Sequence, residues 1–284
     1  MGMLQDGSDR YRNTQLTDTW FNNVIPDRFP EDGSLRLVTF NINGLRGKLD
    51  KEEEYWMNFF SDFDILGLQE LKASEPEARE YLMPLKGYGF FIHARDGGRY
   101  GVAVLLKSSI AGGARLTHKD FISLDLFVHG SETLCRSITV SVPALQLVIV
   151  CVHRKYGDGG AWNKKFLAHV ESLLQEGNGR HVVVMGDLNC WPGEGSAAGV
   201  DILVGMEELG LLDCTHATSE WLQPSHFPAS KYSFHRLDYI LLSQSLRGSS
   251  ALVPGSGRVL SNGACWGDHV PVECTLYRRK LKRK

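Results

Sequence analysis

Several short apolar runs of this chain end in carboxylates and carboxamides, and those residue types are the ones that hold hard cations and move protons. Leu37-Val38-Thr39-Phe40 runs into Asn41-Ile42-Asn43-Gly44, Ile65-Leu66-Gly67-Leu68 into Gln69-Glu70, and Val182-Val183-Val184-Met185-Gly186 into Asp187-Leu188-Asn189. Further along stand Arg236-Leu237-Asp238-Tyr239 and Gly267-Asp268-His269-Val270-Pro271. A strand end is where a fold tolerates polarity, because a pocket there stays wet. Glu70, Asp187, Asp238 and Asp268, with Asn41, Asn43 and Asn189, form an oxygen-rich set, and His269 adds a titratable imidazole. Hard oxygen donors favour Mg2+ or Mn2+ over Zn2+, which prefers Cys and His. The sequence contains no H-E-x-x-H, no C-x-x-C and no G-x-x-x-x-G-K-[ST], which argues against zinc hydrolases and P-loop NTPases. The glycines from Gly193 to Gly199 lack the G-x-G-x-x-G spacing and read as a surface loop.

The elements that must position these residues are legible in the apolar periodicity. Strands are expected over Leu35 to Asn41, Ile65 to Gln69, Val102 to Leu106, Leu134 to Val142, Leu145 to His153, His181 to Asp187, Leu237 to Leu242 and Val270 to Leu276. Helical spacing covers Lys51 to Phe60, Pro76 to Met83, Trp162 to Gln175 and Asp201 to Leu209; in the third, Trp162, Phe166, Val170, Leu173 and Leu174 line one face. The runs on either side of Pro143-Ala144 read as an antiparallel hairpin, which breaks the strict βαβ alternation of a doubly wound fold. Mixed sheets with helices packed outside them fit better, in one domain from residue 35 to residue 277. Residues 1–34 read as a partly ordered arm and residues 278–284 as a basic tail.

Composition narrows the class further. With 284 residues, 43% hydrophobic and 23% charged, the chain is long enough for a large core and too apolar for disorder. The longest apolar run, Leu147 to Val152, is strand-length, far below the roughly 18 residues a membrane-spanning helix needs. The polar first 20 residues carry no secretory h-region, so the expectation is a soluble intracellular protein. The six cysteines are unpaired in spacing and several sit in apolar runs, which reads as reduced and structural. The final seven residues hold six of the 31 basic side chains, leaving the body with 25 against 33 acidic, a balance of −8. Such a body does not coat nucleic acid non-specifically. Its tail reads in three ways: an idle solvated run, a nuclear address, or a contact to a DNA backbone.

In order along the chain, Phe40-Asn41-Ile42-Asn43-Gly44-Leu45-Arg46, Leu68-Gln69-Glu70-Leu71-Lys72, Gly101-Val102-Ala103-Val104-Leu105, Gly186-Asp187-Leu188-Asn189, Arg236-Leu237-Asp238-Tyr239-Ile240-Leu241-Leu242-Ser243 and Gly267-Asp268-His269-Val270-Pro271-Val272 resemble the motifs of the endonuclease/exonuclease/phosphatase superfamily. Within it, the Asn-Gly-Leu-Arg, Leu-Gln-Glu-Leu-Lys and Leu-Asp-Tyr-Ile-Leu-Leu-Ser stretches are most similar to exonuclease III type abasic-site endonucleases and retroelement endonucleases. The resemblance implies a four-layer α/β sandwich with its site at one end of two packed sheets. It also implies Glu70 as the Mg2+ ligand, with Asn41 and Asp268 completing or orienting the metal shell. His269 and Asp238 match the pair in which the carboxylate fixes the imidazole and raises its pKa. Asp187 matches the carboxylate that orients or deprotonates the attacking water, and Asn189 the amide that donates to a phosphate oxygen. Asn43, Tyr156 and Arg236 are the expected substrate-binding residues, and Asn43 stands where the abasic-site enzymes often have Asp, which would weaken a second metal position.

Two departures bear on specificity. The abasic-site enzymes carry Tyr-x-Pro-Asn where this chain reads His153-Arg154-Lys155-Tyr156. A His at the Tyr position is similar to the deoxyribonuclease I and phosphatase branches, where it contacts phosphate and serves as general acid. The Trp-bearing insertion before the Arg-Leu-Asp-Tyr motif is missing here, leaving Phe234 or Trp266 to wall the pocket. The expected activity is therefore Mg2+-dependent hydrolysis of DNA phosphodiesters, with Mn2+ as a substitute ion, DNA as partner and no organic cofactor or membrane. A phosphatase or phosphodiesterase acting on a nucleotide, RNA end or phosphoinositide is the alternative, and a catalytically dead docking module the third reading.

Overall fold

The computed structural model describes residues 34–95, 100–123, 135–154, 160–176, 180–191, 197–215, 223–227, 234–244, 246, 252–259 and 268–278. Tyr156, Trp266, the N-terminal arm and the tail beyond Arg278 lie outside the described residues. In chain order the strands are β1 (Ser34–Asn41), β2 (Ile65–Gln69), β3 (Tyr88–His93), β4 (Val102–Lys107), β5 (Arg115–Lys119), β6 (Ile122–Ser123), β7 (Ser137–Val142), β8 (Leu147–His153), β9 (His181–Asp187), β10 (Leu211–Asp213), β11 (Asp238–Ser243), β12 (Leu252–Val259) and β13 (Val272–Arg278). The helices are α1 (Leu45–Ser61), α2 (Glu75–Leu82), α3 (Ala161–Gln175) and α4 (Ala197–Glu208). One sheet has the order β12-β13-β1-β2-β4-β3 and the other β10-β11-β9-β8-β7-β5-β6. Both are mixed, and each holds one parallel pair, β1 with β2 and β8 with β9. A parallel pair requires a crossover, which α1 and α3 supply. This is the expected α/β sandwich.

Period-two alternation sorts the side chains of the second sheet. Leu147, Ile149 and Cys151 of β8 and Val183 and Met185 of β9 enter the core between the sheets. Their neighbours Val148, Val150, Val152, Val182 and Val184 pack outward with Phe166 and Val170 of α3 and Ile202 and Met206 of α4. The sheets approach closely at Gly67 of β2, where an added Cβ would stand 2.7 Å from Met185 Sδ and 3.3 Å from Cys151 Sγ. Both faces of β8 and β9 are therefore buried, which explains why these strands read as unbroken apolar runs rather than alternating ones.

The boundaries differ from the sequence reading for local reasons. Helix α1 starts at Leu45 rather than Lys51 because it joins two helical pieces across a break at Glu52 (φ −146°, ψ 45°). Helix α2 is fixed by a capping box, Ser74 accepting from the Glu77 N–H while the Glu77 side chain accepts from Ser74, with Pro76 in the first turn. The Pro143-Ala144 hairpin is present, closed by a single 3-10 turn, Pro143–Leu145, and a left-handed Gln146. Strands β3, β5, β6, β10 and β12 were not legible in the periodicity; β5 is edge-like and only half-buried, and β10 is three residues long. Five described cysteines, Cys135, Cys151, Cys190, Cys214 and Cys274, are buried free thiols. No helix among the described residues is long and apolar enough to cross a membrane.

Candidate active site

Strand register gathers the polar residues on one rim. On the second sheet His153 at the end of β8 pairs with Asp187 at the end of β9, and Asp187 pairs with Asp238 at the start of the antiparallel β11. Three chemistry-bearing residues thus form one row across three neighbouring strands. On the first sheet Asn41 pairs with Gln69, so Asn43 and Glu70 leave β1 and β2 side by side. Because β13 runs antiparallel to β1, Asp268 and His269, just before it, arrive at the same rim.

Non-glycine residues in left-handed conformation mark the places where the chain leaves its ladders: Asn43 (φ 51°), Glu70 (φ 52°), Lys72 (φ 49°) and Asn189 (φ 46°). Each costs on the order of 1 kcal/mol and turns a side chain out of the strand direction into the cleft. Gly186, one residue before Asp187, has φ 149°, and a Cβ there would lie 1.8 Å from the Val152 carbonyl oxygen.

Asp187 is the hub. It is 1% exposed; its Oδ2 accepts from Asn41 Nδ2 at 2.9 Å and its Oδ1 from the Asn189 N–H at 2.8 Å. His153 Nε2 and His269 Nε2 stand 3.8 Å and 3.9 Å from Asp187 Oδ2. Burial, reinforced by the charge of Asp238, raises the Asp187 pKa. His269 Nδ1 lies 2.9 Å from Asp238 Oδ2, which also accepts from Ser225 Oγ at 2.7 Å. The Leu237 and Asp238 N–H groups both donate to Ser225 Oγ at 2.9 Å, completing a buried support for the pair. Burial would lower the pKa of His269, but the Asp238 charge and hydrogen bond outweigh it and lift it to about 10. His153 goes the other way, pushed down to about 4 by burial despite Glu70. The two imidazoles beside Asp187 are therefore a cation and a neutral ring.

Glu70 Oε1 is 3.3 Å from His153 Nε2, and its Oε2 is 2.8 Å from Lys72 Nζ. Burial alone would raise its pKa; Lys72 holds it below the ordinary range. Lys72 also donates to Asn43 Oδ1, while Asn43 Nδ2 donates to Asp268 Oδ1 at 3.0 Å and the Asn43 N–H to Asn41 Oδ1 at 3.1 Å. Glu70, Asn41, Asn43 and Asp268 are thus one connected oxygen cluster that already attracts a cation, with the Lys72 ammonium bridging two of its members. Its all-oxygen chemistry fits a hard divalent ion.

Nine of the eleven expected site residues therefore meet at this rim. Arg236 does not face the cleft. It is 3% exposed, and its guanidinium is committed to both Asp213 oxygens at 3.2 Å, to Thr215 Oγ1 at 3.1 Å and to the Asp238 carbonyl at 2.7 Å. The expectation that it touches substrate is corrected by this geometry: it is a strut beneath β11. Asn189 lies in the cleft wall with its Nδ2 donating to the Arg154 carbonyl at 2.7 Å. Tyr156 falls outside the described residues.

Several residues that shape the site were not singled out in the sequence. Lys72 lay inside a recognised motif, whereas Ser225 and His226 sit in a segment without one. Arg154, 1% exposed, ties Asn163 Oδ1 at 2.8 Å to the Asn189 carbonyl at 3.2 Å and so fixes the turn after β9. Arg136 donates to the His153 carbonyl at 3.3 Å while stacking 3.9 Å over the Tyr100 ring. Asp120 anchors that corner, pairing with His93 at 2.8 Å and accepting from three consecutive N–H groups, Cys135 to Ser137.

The model of the endonuclease/exonuclease/phosphatase family matches residues 38–269, which is most of the chain and includes every residue at the rim. The chain belongs to this family. Its members are phosphodiesterases, nucleases and phosphatases that use divalent metals. Among solved structures, the AP endonuclease LMAP from Leishmania major superposes with a TM-score of 0.70 at 19% identity, over 88% of this chain and 89% of that one. The catalytic domain of APE2 from Xenopus laevis gives 0.64 at 18% identity, over 88% and 94%. The 3′ phosphatase NExo from Neisseria, bound to a product DNA hairpin, gives 0.63 at 19% identity, over 84% and 98%. These likenesses show the sandwich fold. No curated protein sequence matches the chain.

Proposed function

We propose that this family member is a Mg2+-dependent hydrolase of DNA phosphodiester bonds, an endonuclease similar to abasic-site or retroelement nicking enzymes. The observation that supports the reading best is the setting of Asp187: a buried carboxylate fixed at both oxygens by Asn41 and Asn189, with two imidazoles of different charge within 4 Å of Oδ2. One group to activate a water and two to meet an anion on either side is what in-line attack on a phosphate needs. Glu70, Asn41 and Asp268 would hold the Mg2+, which when bound neutralises charge on the phosphate and the departing oxygen.

The chain's own side chains do the rest. Asp187 orients the attacking water and takes its proton; the raised pKa makes it a better base than an ordinary carboxylate. His269, kept protonated by Asp238, presents Nε2–H to a non-bridging phosphate oxygen. His153 is neutral, and the Glu70 carboxylate beside Nε2 selects the tautomer that carries its proton there, so it donates to the phosphate or the departing oxygen. The basic run from Arg278 adds salt-dependent attraction to the DNA backbone.

DNA as substrate draws support from the solved structures of similar fold, among them the AP endonuclease LMAP and the 3′ phosphatase NExo holding a product DNA hairpin. A second reading, phosphomonoester hydrolysis at a nucleic acid end or on a small phosphoester, is favoured by His153 at the position where the abasic-site enzymes carry Tyr. The test is cleavage of a duplex holding one abasic-site analogue beside an undamaged duplex and a 3′-phosphorylated primer, with Mg2+ or chelator, for the parent and Glu70→Ala. Metal-dependent nicking at the analogue supports the repair-type endonuclease, equal nicking of both duplexes the retroelement type, and release of phosphate alone the second reading. No turnover of any of them overturns the enzymatic proposal.

A further inference from the structure

Beside the oxygen cluster lies a second, chemically different one. Residues 225–227 are laced to residues 268–270 by backbone hydrogen bonds, Phe227 N–H to the Asp268 carbonyl at 2.6 Å and Val270 N–H to the Ser225 carbonyl at 2.8 Å. His226 and His269 are thereby bridge partners, and their rings are tilted by 48° with centroids 4.6 Å apart. Together with Asp268 they offer three ligand atoms all within 4.8 Å of one another. Two imidazoles and a carboxylate suit a borderline ion such as Zn2+, where the Glu70 cluster suits a hard one.

Two further observations point to a ligand there. His226 Nδ1 is buried without a hydrogen-bond partner. His269 is also held as a metal-binding histidine commonly is, with Nδ1 against a carboxylate that is itself supported by Ser225, which leaves Nε2, 3.9 Å from Asp187 Oδ2, as its ligand atom. The mechanism uses neither His226 nor its free nitrogen.

We propose that His226, Asp268 and His269 form a Zn2+ site that shares Asp268 with the Mg2+ position but not Glu70, and that Zn2+ bound there inhibits the enzyme. Coordination occupies His269 Nε2, releases its proton to solvent and withdraws Asp268 from the oxygen cluster. Inhibition rests on the hydrolase reading above; binding does not, so the two are measured separately.

The experiment is Co2+ titration of the metal-free protein, followed by visible absorption, with Zn2+ displacement giving the Zn2+ affinity. A four-coordinate spectrum without thiolate charge transfer is expected for the parent and for Glu70→Gln, and its loss, with at least about tenfold weaker Zn2+ binding, for His226→Phe and His226→Gln. Circular dichroism of both variants shows whether they are folded, and His226→Gln keeps a polar side chain if the phenylalanine is not accommodated. A thiolate band, or Zn2+ affinity equal to the parent's in a folded His226 variant, overturns the site. Given binding, micromolar Zn2+ that inhibits hydrolysis in excess Mg2+ for the parent and not for His226→Phe supports the inhibitory role; unchanged turnover with the site filled overturns it.

Discussion

His153 Nε2 stands 3.3 Å from Glu70 Oε1, although the two residues end strands of different sheets. This contact spans the cleft between the metal-type cluster of one sheet and the His153–Asp187–Asp238 row of the other. It sets a neutral imidazole beside the carboxylate of the metal-type cluster. Removing it, as in His153→Ala, is expected to lower kcat by about 100-fold to 1,000-fold, the usual worth of a preorganised hydrogen-bond donor to developing charge, with a smaller change in KM. His153→Tyr, which restores the phenol of the abasic-site enzymes, should retain more activity than His153→Ala on a lesion duplex. Equal kinetics for the parent and His153→Ala would remove His153 from the mechanism.

Gly186 sets the approach to Asp187. Its φ of 149° is outside the reach of L side chains, and the Val152 carbonyl oxygen occupies the space of a Cβ at 1.8 Å. Gly186→Ala should therefore misfold or lose more than about 3 kcal/mol, since buried backbone has no room to give. Gly47 is the control, because nothing lies within 4 Å of its added Cβ and it sits in α1. Gly47→Ala should be neutral or gain up to about 1 kcal/mol. Comparable melting temperatures for the two variants would refute the packing argument.

Arg236 separates a strut from a substrate contact. Buried against Asp213, it should cost about 3–5 kcal/mol when replaced by Gln, because Asp213 is then left without its partner. Activity per folded molecule should hold near the parent's KM. Were a folded Arg236→Lys to keep the parent's melting temperature yet raise KM several-fold, the residue would belong to the substrate side after all.

What the sequence reveals about this site follows from which residues are local to a strand end. Asn41, Glu70, Asp187 and Asp238 were legible because each closes or opens an apolar run, and β1, β2, β9 and β11 formed nearly as the periodicity predicts. The pairing of those strands was not legible, since register depends on both faces of a buried sheet, and it alone puts Asp187 between His153 and Asp238. Ser225 and His226 left no trace for a related reason. His226 meets His269 only through a backbone bridge to a segment more than 40 positions away, and Ser225 acts through side-chain hydrogen bonds to Leu237 and Asp238, which no local pattern encodes. Arg236 misled because motif position does not tell which way a side chain turns.

His169 provides a pH prediction away from the cleft. It is 9% exposed on α3, with Nε2 2.9 Å from Thr139 Oγ1 and its ring 4.7 Å from that of His118. Burial, with the charge of His118 adding to it, pushes its pKa from the ordinary 6.5 down to about 4. The unfolded chain therefore takes up this proton near pH 6.5 while the folded one resists it until about 4. Its contribution to stability is fully present above 6.5 and falls as the pH drops from there to about 4, by at most about 3 kcal/mol. His153 and Asp187 also titrate in or near this range, so the informative quantity is the difference between the parent and His169→Gln. Urea unfolding at pH 7.5, 5.5 and 4.5 should show the parent losing its advantage over the variant as the pH falls, and curves that stay parallel would mean that folding leaves the His169 pKa unshifted.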